Sequence, residues 1–217
     1  MFNLPANTQV NKLVPKKNFA SFLNSKQKRL FSDFISRIKL LNTLSSSSIN
    51  LSGDEVKEIH IFEIQLKKKD YPVILFDLFD KFIPYHIILI ASYNKELLVS
   101  AAQKHTHPAN ENLSIIDWRF NSIWFKENNF KYVLNLRSSL DFVFSDLCFQ
   151  LSGKSTISKM SILELVNKER KIDVLQKNIH KLKISIKNCK QYNIKVELNM
   201  QLQNSIEELN SLMNSNI

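Results

Sequence analysis

Residues 154–217 contain neither glycine nor proline, and a stretch that long without either has few ways to fold except as helix. Within it, apolar residues recur at steps of three and four. From Leu165 the frame runs through Ile172, Leu175, Ile179, Leu182, Ile186, Cys189, Asn193, Val196 and Met200, with an early break at Lys168. Such spacing lines one face of a helix and marks a coiled-coil seam, with Asn193 as a register-setting polar position. The frame ends near Gln203, while Leu202, Ile206, Leu209 and Met213 continue in shifted phase. One long helix folded back on its own domain, or a helical hairpin, is the alternative. An intermolecular or domain-packing coiled coil is favoured, because so regular an apolar stripe would otherwise stay in water.

Upstream of this tail, Gly53 and Gly153 are the only two glycines in 217 residues. Positive-φ turns must be few or use Asn, which argues against sandwiches and propellers. Hydrophobic residues form 44% of the chain and Phe occurs 15 times, enough apolar surface for a real core. Ser25 is placed to cap a helix over 26–41, where Leu30, Phe31, Phe34, Ile38 and Leu41 recur at helical steps. Residues 45–48 read as a polar linker. Residues 56–68 alternate as a strand, with His60, Phe62, Ile64 and Leu66 on one face and Ile61, Glu63, Gln65 and Lys67 on the other. A helix at 75–83 is stopped by Pro84. The apolar run YHIILIASY at 85–93 is expected of a central strand buried on both faces. Asn94-Lys95 is a tight turn into a strand at 97–104, followed by a loop at 105–112 and a strand at 113–126 carrying Trp118 and Trp124. Ser138 or Ser139 caps a helix reaching Leu151. The predicted fold class is α+β, a mostly antiparallel sheet packed with helices, followed by a long C-terminal helical, coiled-coil-like segment. Its parts are a basic N-terminal arm (1–24), a core domain (25–152) and the helical tail (158–214).

The formal charge of +10 is concentrated at the two ends. Residues 1–52 hold eight Lys or Arg against Asp33 alone, a balance of +7, and residues 158–217 hold ten bases against six acids, a balance of +4. The middle carries twelve bases and thirteen acids. Localised positive charge binds phosphates through counterion release, which makes Lys12, Lys16, Lys17, Lys26, Lys28 and Arg29 the predicted nucleic-acid contacts. A lysine-rich face that merely keeps the protein in solution is the plainer reading. Cys148 and Cys189 have no framework spacing and read as packing thiols in a reducing compartment. There is no signal-peptide pattern at the N-terminus, and the most apolar window is too short to span a bilayer, so a cytoplasmic location without membrane attachment is expected.

Most catalytic chemistries fail on inspection. Gly153-Lys154-Ser155-Thr156 resembles the end of a phosphate-binding loop, but Cys148 stands where its first glycine belongs and a helix precedes it. A helix end at Gly153 is the better reading. His105 and His107 lack further nearby ligands, so no metal site is expected, and no cofactor fingerprint is visible. The best enzymatic alternative is the strand face Glu63, Gln65, Lys67. Metal-dependent nucleases place an acid to hold the ion and a lysine to meet phosphate charge on such a strand. The second strand acid is missing, since Asp54 and Asp70 lie outside the strand. A solvated polar face of an amphipathic strand is commoner.

Four stretches together are similar to the family catalogued as domain of unknown function 4391. They are Val10-Asn11-Lys12 with Val14-Pro15-Lys16, VKEIHIFEIQLK at 56–67, DKFIPYHIILI at 80–90 and KQYNIKVELN at 190–199. The resemblance runs in matching order over nearly the whole chain, and its arm and tail segments are the most specific. It implies an accessory role in DNA restriction, modification or phage defence, beside DNA methyltransferase and helicase subunits, with no catalytic residue to carry over. Relatives often have an acid at the Gln65 position, which weakens the nuclease alternative here. The resulting expectation is a non-catalytic interaction protein. It would bind itself or a helical partner through the tail and touch nucleic acid through its basic end.

Overall fold

Asn24 rather than Ser25 opens the first helix. Its side chain accepts from the Gln27 backbone N–H while the Gln27 side chain accepts from the Asn24 N–H, a reciprocal cap. The computed structural model describes residues 1–70, 73–154 and 160–214, with backbone alone at Asn112. These divide into two units, Met1–Thr156 and Ile157–Ile217.

The first unit holds a seven-stranded mixed sheet. Its strands are β1 (Gln9–Leu13), β2 (Ile35–Ser45), β3 (Glu58–Leu66), β4 (His86–Tyr93), β5 (Glu96–His107), β6 (Asn110–Asn121) and β7 (Phe125–Lys126). The spatial order is β1-β2-β3-β4-β5-β6, with β7 paired to the start of β5. The β3–β4 pair is parallel, joined through helix α3 (Ile74–Phe82), and the other pairs are antiparallel. The fold class α+β with a mostly antiparallel sheet therefore stands.

The helix expected over 26–41 is corrected. Helix α1 (Ser25–Phe34) stops at Phe34, and Ile35 begins β2. Bulges between Ile35 and Arg37 and between Leu40 and Asn42 break the two-residue period, which masks the strand and lets Phe34, Ile38 and Leu41 fall at helical steps. The arm likewise holds a strand, β1, whose alternation is hidden by a register shift around Asn11 (φ 50°). The polar linker contains a one-turn helix, α2 (Ser46–Ile49). The loop expected at 105–112 shrinks to Pro108–Ala109 between β5 and β6.

Helices α1 and α3 cover one sheet face. Phe19, Phe31, Phe76 and Phe79 pack there against Phe62, Ile64, Leu89 and Leu98. Helix α4 (Leu140–Leu151), capped by Ser139, packs against β3, β5 and β6. Its Asp141 accepts the backbone N–H groups of Asp54, Glu55 and Val56 at 2.7–2.9 Å, which anchors the entry to β3. Burial raises the Asp141 pKa, but these backbone donors outweigh it and hold the carboxyl below its usual range. A Cβ at Gly53 would lie 2.3 Å from the Val56 carbonyl oxygen, so this close approach demands glycine.

Charged groups also enter the core. Lys104 Nζ donates to the Asp80 and Ile83 carbonyls at the end of α3, at 2.8 and 2.7 Å. Arg119 Nη2 donates to Asp80 Oδ2 at 2.7 Å, its Nε to Asp77 Oδ1 at 3.0 Å and its Nη1 to Ser100 Oγ at 3.0 Å. Beside them His86 is buried with its ring edge-on to Phe144, centroids 4.7 Å apart. Burial first, and the Lys104 charge second, lower its pKa to about 4. The unfolded chain takes up this proton near the ordinary value of about 6.5. His86 therefore stabilises the fold fully above that pH and loses its contribution as pH falls toward 4. Denaturant unfolding at pH 7 and pH 4.5 should differ by roughly 2 kcal/mol from this source. His86→Phe should remove most of that difference, and an unchanged pH slope in the variant would contradict the assignment.

The second unit contains two helices, α5 (Ile162–Asn188) and α6 (Tyr192–Asn214), packed as a hairpin. Asn178 Nδ2 donates to Ser205 Oγ at 3.3 Å between them. The continuous seam expected from Ile172 to Val196 is corrected. Cys189 is extended (ψ 125°) and its thiol donates to the Gln191 carbonyl, so the chain turns at 189–191. Asn188, Cys189, Tyr192 and Asn193 are all weak helix formers, and their accumulation breaks the helix without Gly or Pro. In α5 the same residues are shielded: Ile179 and Leu182 are buried, and Ile172, Leu175 and Ile186 half-buried. In α6 the shielded side is instead Leu198, Leu202, Ser205, Ile206, Leu209 and Leu212, which takes in Leu202, Ile206 and Leu209 of the shifted phase but not Met213, while Asn193 and Val196 are exposed.

Candidate functional site

Pleating sends Ile59, Ile61, Glu63 and Gln65 to one face of β3. The two isoleucines are buried, whereas Glu63 is half-buried and Gln65 exposed. A polar recess of ≈ 100 Å³ opens there, lined by Arg37, Lys39, Glu63, Gln65 and Ser92. The β2–β3 register sets Arg37 beside Gln65 and Lys39 beside Glu63, and the β3–β4 register sets Ser92 beside Gln65. Arg37 donates from Nε and Nη2 to Gln65 Oε1 at 3.3 and 3.1 Å. Ser92 Oγ donates to Glu63 Oε1 at 3.4 Å.

Two larger concavities share Gln65 with this recess. One of ≈ 550 Å³ runs past Leu13, Pro15, Lys16, Ser36 and Arg37. The other, of ≈ 460 Å³, includes Glu63, Lys67, Ser92, Tyr93 and Lys95. Lys16 Nζ donates to the Ile35 carbonyl at 2.8 Å, and Lys67 Nζ to the Ser32 carbonyl at 2.7 Å. Burial, and then the charge of neighbouring Lys67, lower the Lys16 pKa. Crowded ammonium groups of this kind are relieved by an anion. Four cations, Lys16, Arg37, Lys39 and Lys67, thus line adjoining concavities around Gln65.

The basic residues of the arm and the polar strand, separate in the sequence reading, meet here through Lys16. Arg37 and Lys39 were missed as site residues because they fell inside a presumed helix; the available signal was their alternation with Ile38 and Leu40. Lys12 lies exposed on β1, Lys17 in a 3-10 turn (Lys16–Phe19), and Lys26, Lys28 and Arg29 on α1. Arg29 pairs with Asp33 at 3.6 Å.

Glu63 and Gln65 share a face, but the Lys67 ammonium is turned to the end of α1. Among the described residues no three His, Cys, Asp or Glu side chains gather as metal ligands. His105 Nδ1 lies 2.8 Å from Asp117 Oδ2, and His107 Nδ1 accepts the Ala109 N–H at 3.1 Å. Gly153 has φ 73°, as a helix-ending glycine does, while Ser155, Thr156 and the first tail residues 158–159 lie outside the described residues. No described helix is long and apolar enough to cross a membrane.

No curated protein and no solved structure matches the chain. A family model does, over residues 2–209, taking in both the sheet unit and most of the helical hairpin. The chain belongs to the family described as Domain of unknown function (DUF4391).

Proposed function

We propose that the protein is a non-catalytic interaction protein that holds nucleic acid on its β1–β2–β3 edge and a protein partner on its helical hairpin. The observation that carries the first half is the convergence of Lys16, Arg37, Lys39 and Lys67 on one set of concavities. Phosphate contacts of this sort give sequence-independent affinity. Lys12, Lys17, Lys26, Lys28 and Arg29 add to the positive field of the same N-terminal segment.

The second half rests on α6, none of whose residues is buried and whose Tyr192, Val196 and Met200 are exposed at four-residue steps. We assign this stripe to self-association or to a helical partner; a DNA methyltransferase or helicase subunit of a restriction or phage-defence system fits the family resemblance. Light scattering of the full chain should give a mass above the monomer, and Val196→Asp with Met200→Asp should lower it. A monomeric mass for the wild type, with no protein recovered from its host on the immobilised chain, contradicts this half.

The rival reading is a divergent metal-dependent nuclease using Glu63 and Lys67, favoured by the placement of Glu63 among phosphate-attracting cations. On the proposed reading purified protein cuts neither plasmid nor single strands with Mg²⁺ or Mn²⁺, and Glu63→Ala and Lys67→Ala each shift stability by within about 0.5 kcal/mol. Metal-dependent cutting that both variants lose would establish the rival.

A further inference from the structure

We propose that the recess at Glu63, Gln65 and Ser92 reads the base edge of an unpaired pyrimidine and prefers cytosine to thymine, an inference that rests on the nucleic-acid reading above. A groove meant for phosphates alone has no use for a carboxylate, because phosphate oxygens only accept hydrogen bonds and carry the same charge. Glu63 nevertheless stands half-buried among Arg37 and Lys39, with its carboxylate on the recess. Beyond Ser92 Oγ and the Lys39 that faces it across the strands, its carboxylate can still accept from a ligand that donates.

The orientation of the neighbouring amide is set. Arg37 donates twice to Gln65 Oε1, which turns the Gln65 amide nitrogen toward the remaining space as a donor. Two residues apart on β3, Glu63 and Gln65 have Cα atoms roughly 7 Å apart and share one face. The recess thus offers an acceptor at Glu63 and a donor at Gln65, with the Ser92 hydroxyl already donating to Glu63. Cytosine presents the matching edge: its exocyclic amine donates to Glu63, and its ring nitrogen accepts from the Gln65 amide. A carboxylate accepting from the cytosine amine is a recurrent base contact. Thymine puts a carbonyl where that amine would be, setting two acceptors against each other. An unpaired strand is required because a duplex keeps this edge occupied, whereas splayed bases expose it. The cations beside the recess hold the adjoining phosphates.

The test is fluorescence anisotropy of the full chain with short oligo(dC), oligo(dT) and oligo(dA) in EDTA, so that no metal-dependent reaction intrudes. Wild type should bind oligo(dC) about tenfold tighter than oligo(dT). Glu63→Gln should narrow that gap to about twofold or less, with oligo(dT) gaining rather than losing affinity, since the repelling charge is gone. Gln65→Leu should narrow it by weakening oligo(dC), a second route should either variant fold poorly. Equal wild-type affinities, or a full gap retained in both variants, overturn the base-reading site while leaving the phosphate groove intact. Failure of wild type to bind any of the three overturns the nucleic-acid reading itself.

Discussion

Asp80→Ala is expected to cost about 3–5 kcal/mol, the loss seen when one partner of a buried ion pair is removed. The Asp80 and Lys104 side chains are 0% and 1% exposed, and Lys104 Nζ lies 3.4 Å from Asp80 Oδ1. Burial lowers the Lys104 pKa while Asp80 raises it, so removing the carboxylate leaves an ammonium held only by carbonyls. Arg119 loses its 2.7 Å partner in the same step. The double variant Asp80→Leu, Lys104→Met should recover much of the loss, because well-packed apolar replacements of buried pairs are often near neutral. Chemical denaturation of the two variants measures both numbers. A cost below about 1 kcal/mol for Asp80→Ala would show that the network does not hold α3 to the sheet.

The second large effect is on binding. Replacing Lys16, Arg37, Lys39 and Lys67 together by Gln removes the four proposed phosphate contacts and should weaken single-strand binding by roughly 10²–10³-fold at low salt. Lys16 and Lys67 each donate to one backbone carbonyl, which a Gln amide can partly replace, so a small stability change is expected. Circular dichroism and melting of the variant separate lost binding from lost fold. Affinity within a few-fold of wild type would place the phosphate path elsewhere on the basic end.

What the sequence disclosed about this site depended on how local the signal was. The β4 run announced a strand buried on both faces, and Asn94-Lys95 announced a hairpin, with φ 47° and 63° as a tight primed turn requires. Ser138 or Ser139, of which Ser139 is the cap, and Gly153 marked the two ends of the α4 segment. All of these are decided within a few residues. The helix reading of 26–41 failed because Phe34, Ile38 and Leu41 fall at four- and three-residue steps across the α1–β2 junction, and pairing with β3 overrode that rhythm. That error hid Arg37 and Lys39, so half the cationic site was invisible. The Asp80, Lys104 and Arg119 network joins residues up to 39 positions apart and leaves no periodic trace. The heptad frame matches the shielded side of α5 from Ile172 to Ile186, then runs past a break made by several weak helix formers rather than by one strong breaker.

The central claim, that the Lys16, Arg37, Lys39 and Lys67 edge holds a nucleic-acid backbone, is tested most directly by the salt dependence of single-stranded DNA binding. With four phosphates engaged, log K against log salt should fall with a slope of about −3 for wild type, and the four-Gln variant should lose most of that slope. Absence of wild-type binding to single-stranded or duplex nucleic acid at low salt, or an equal slope in the variant, would contradict it.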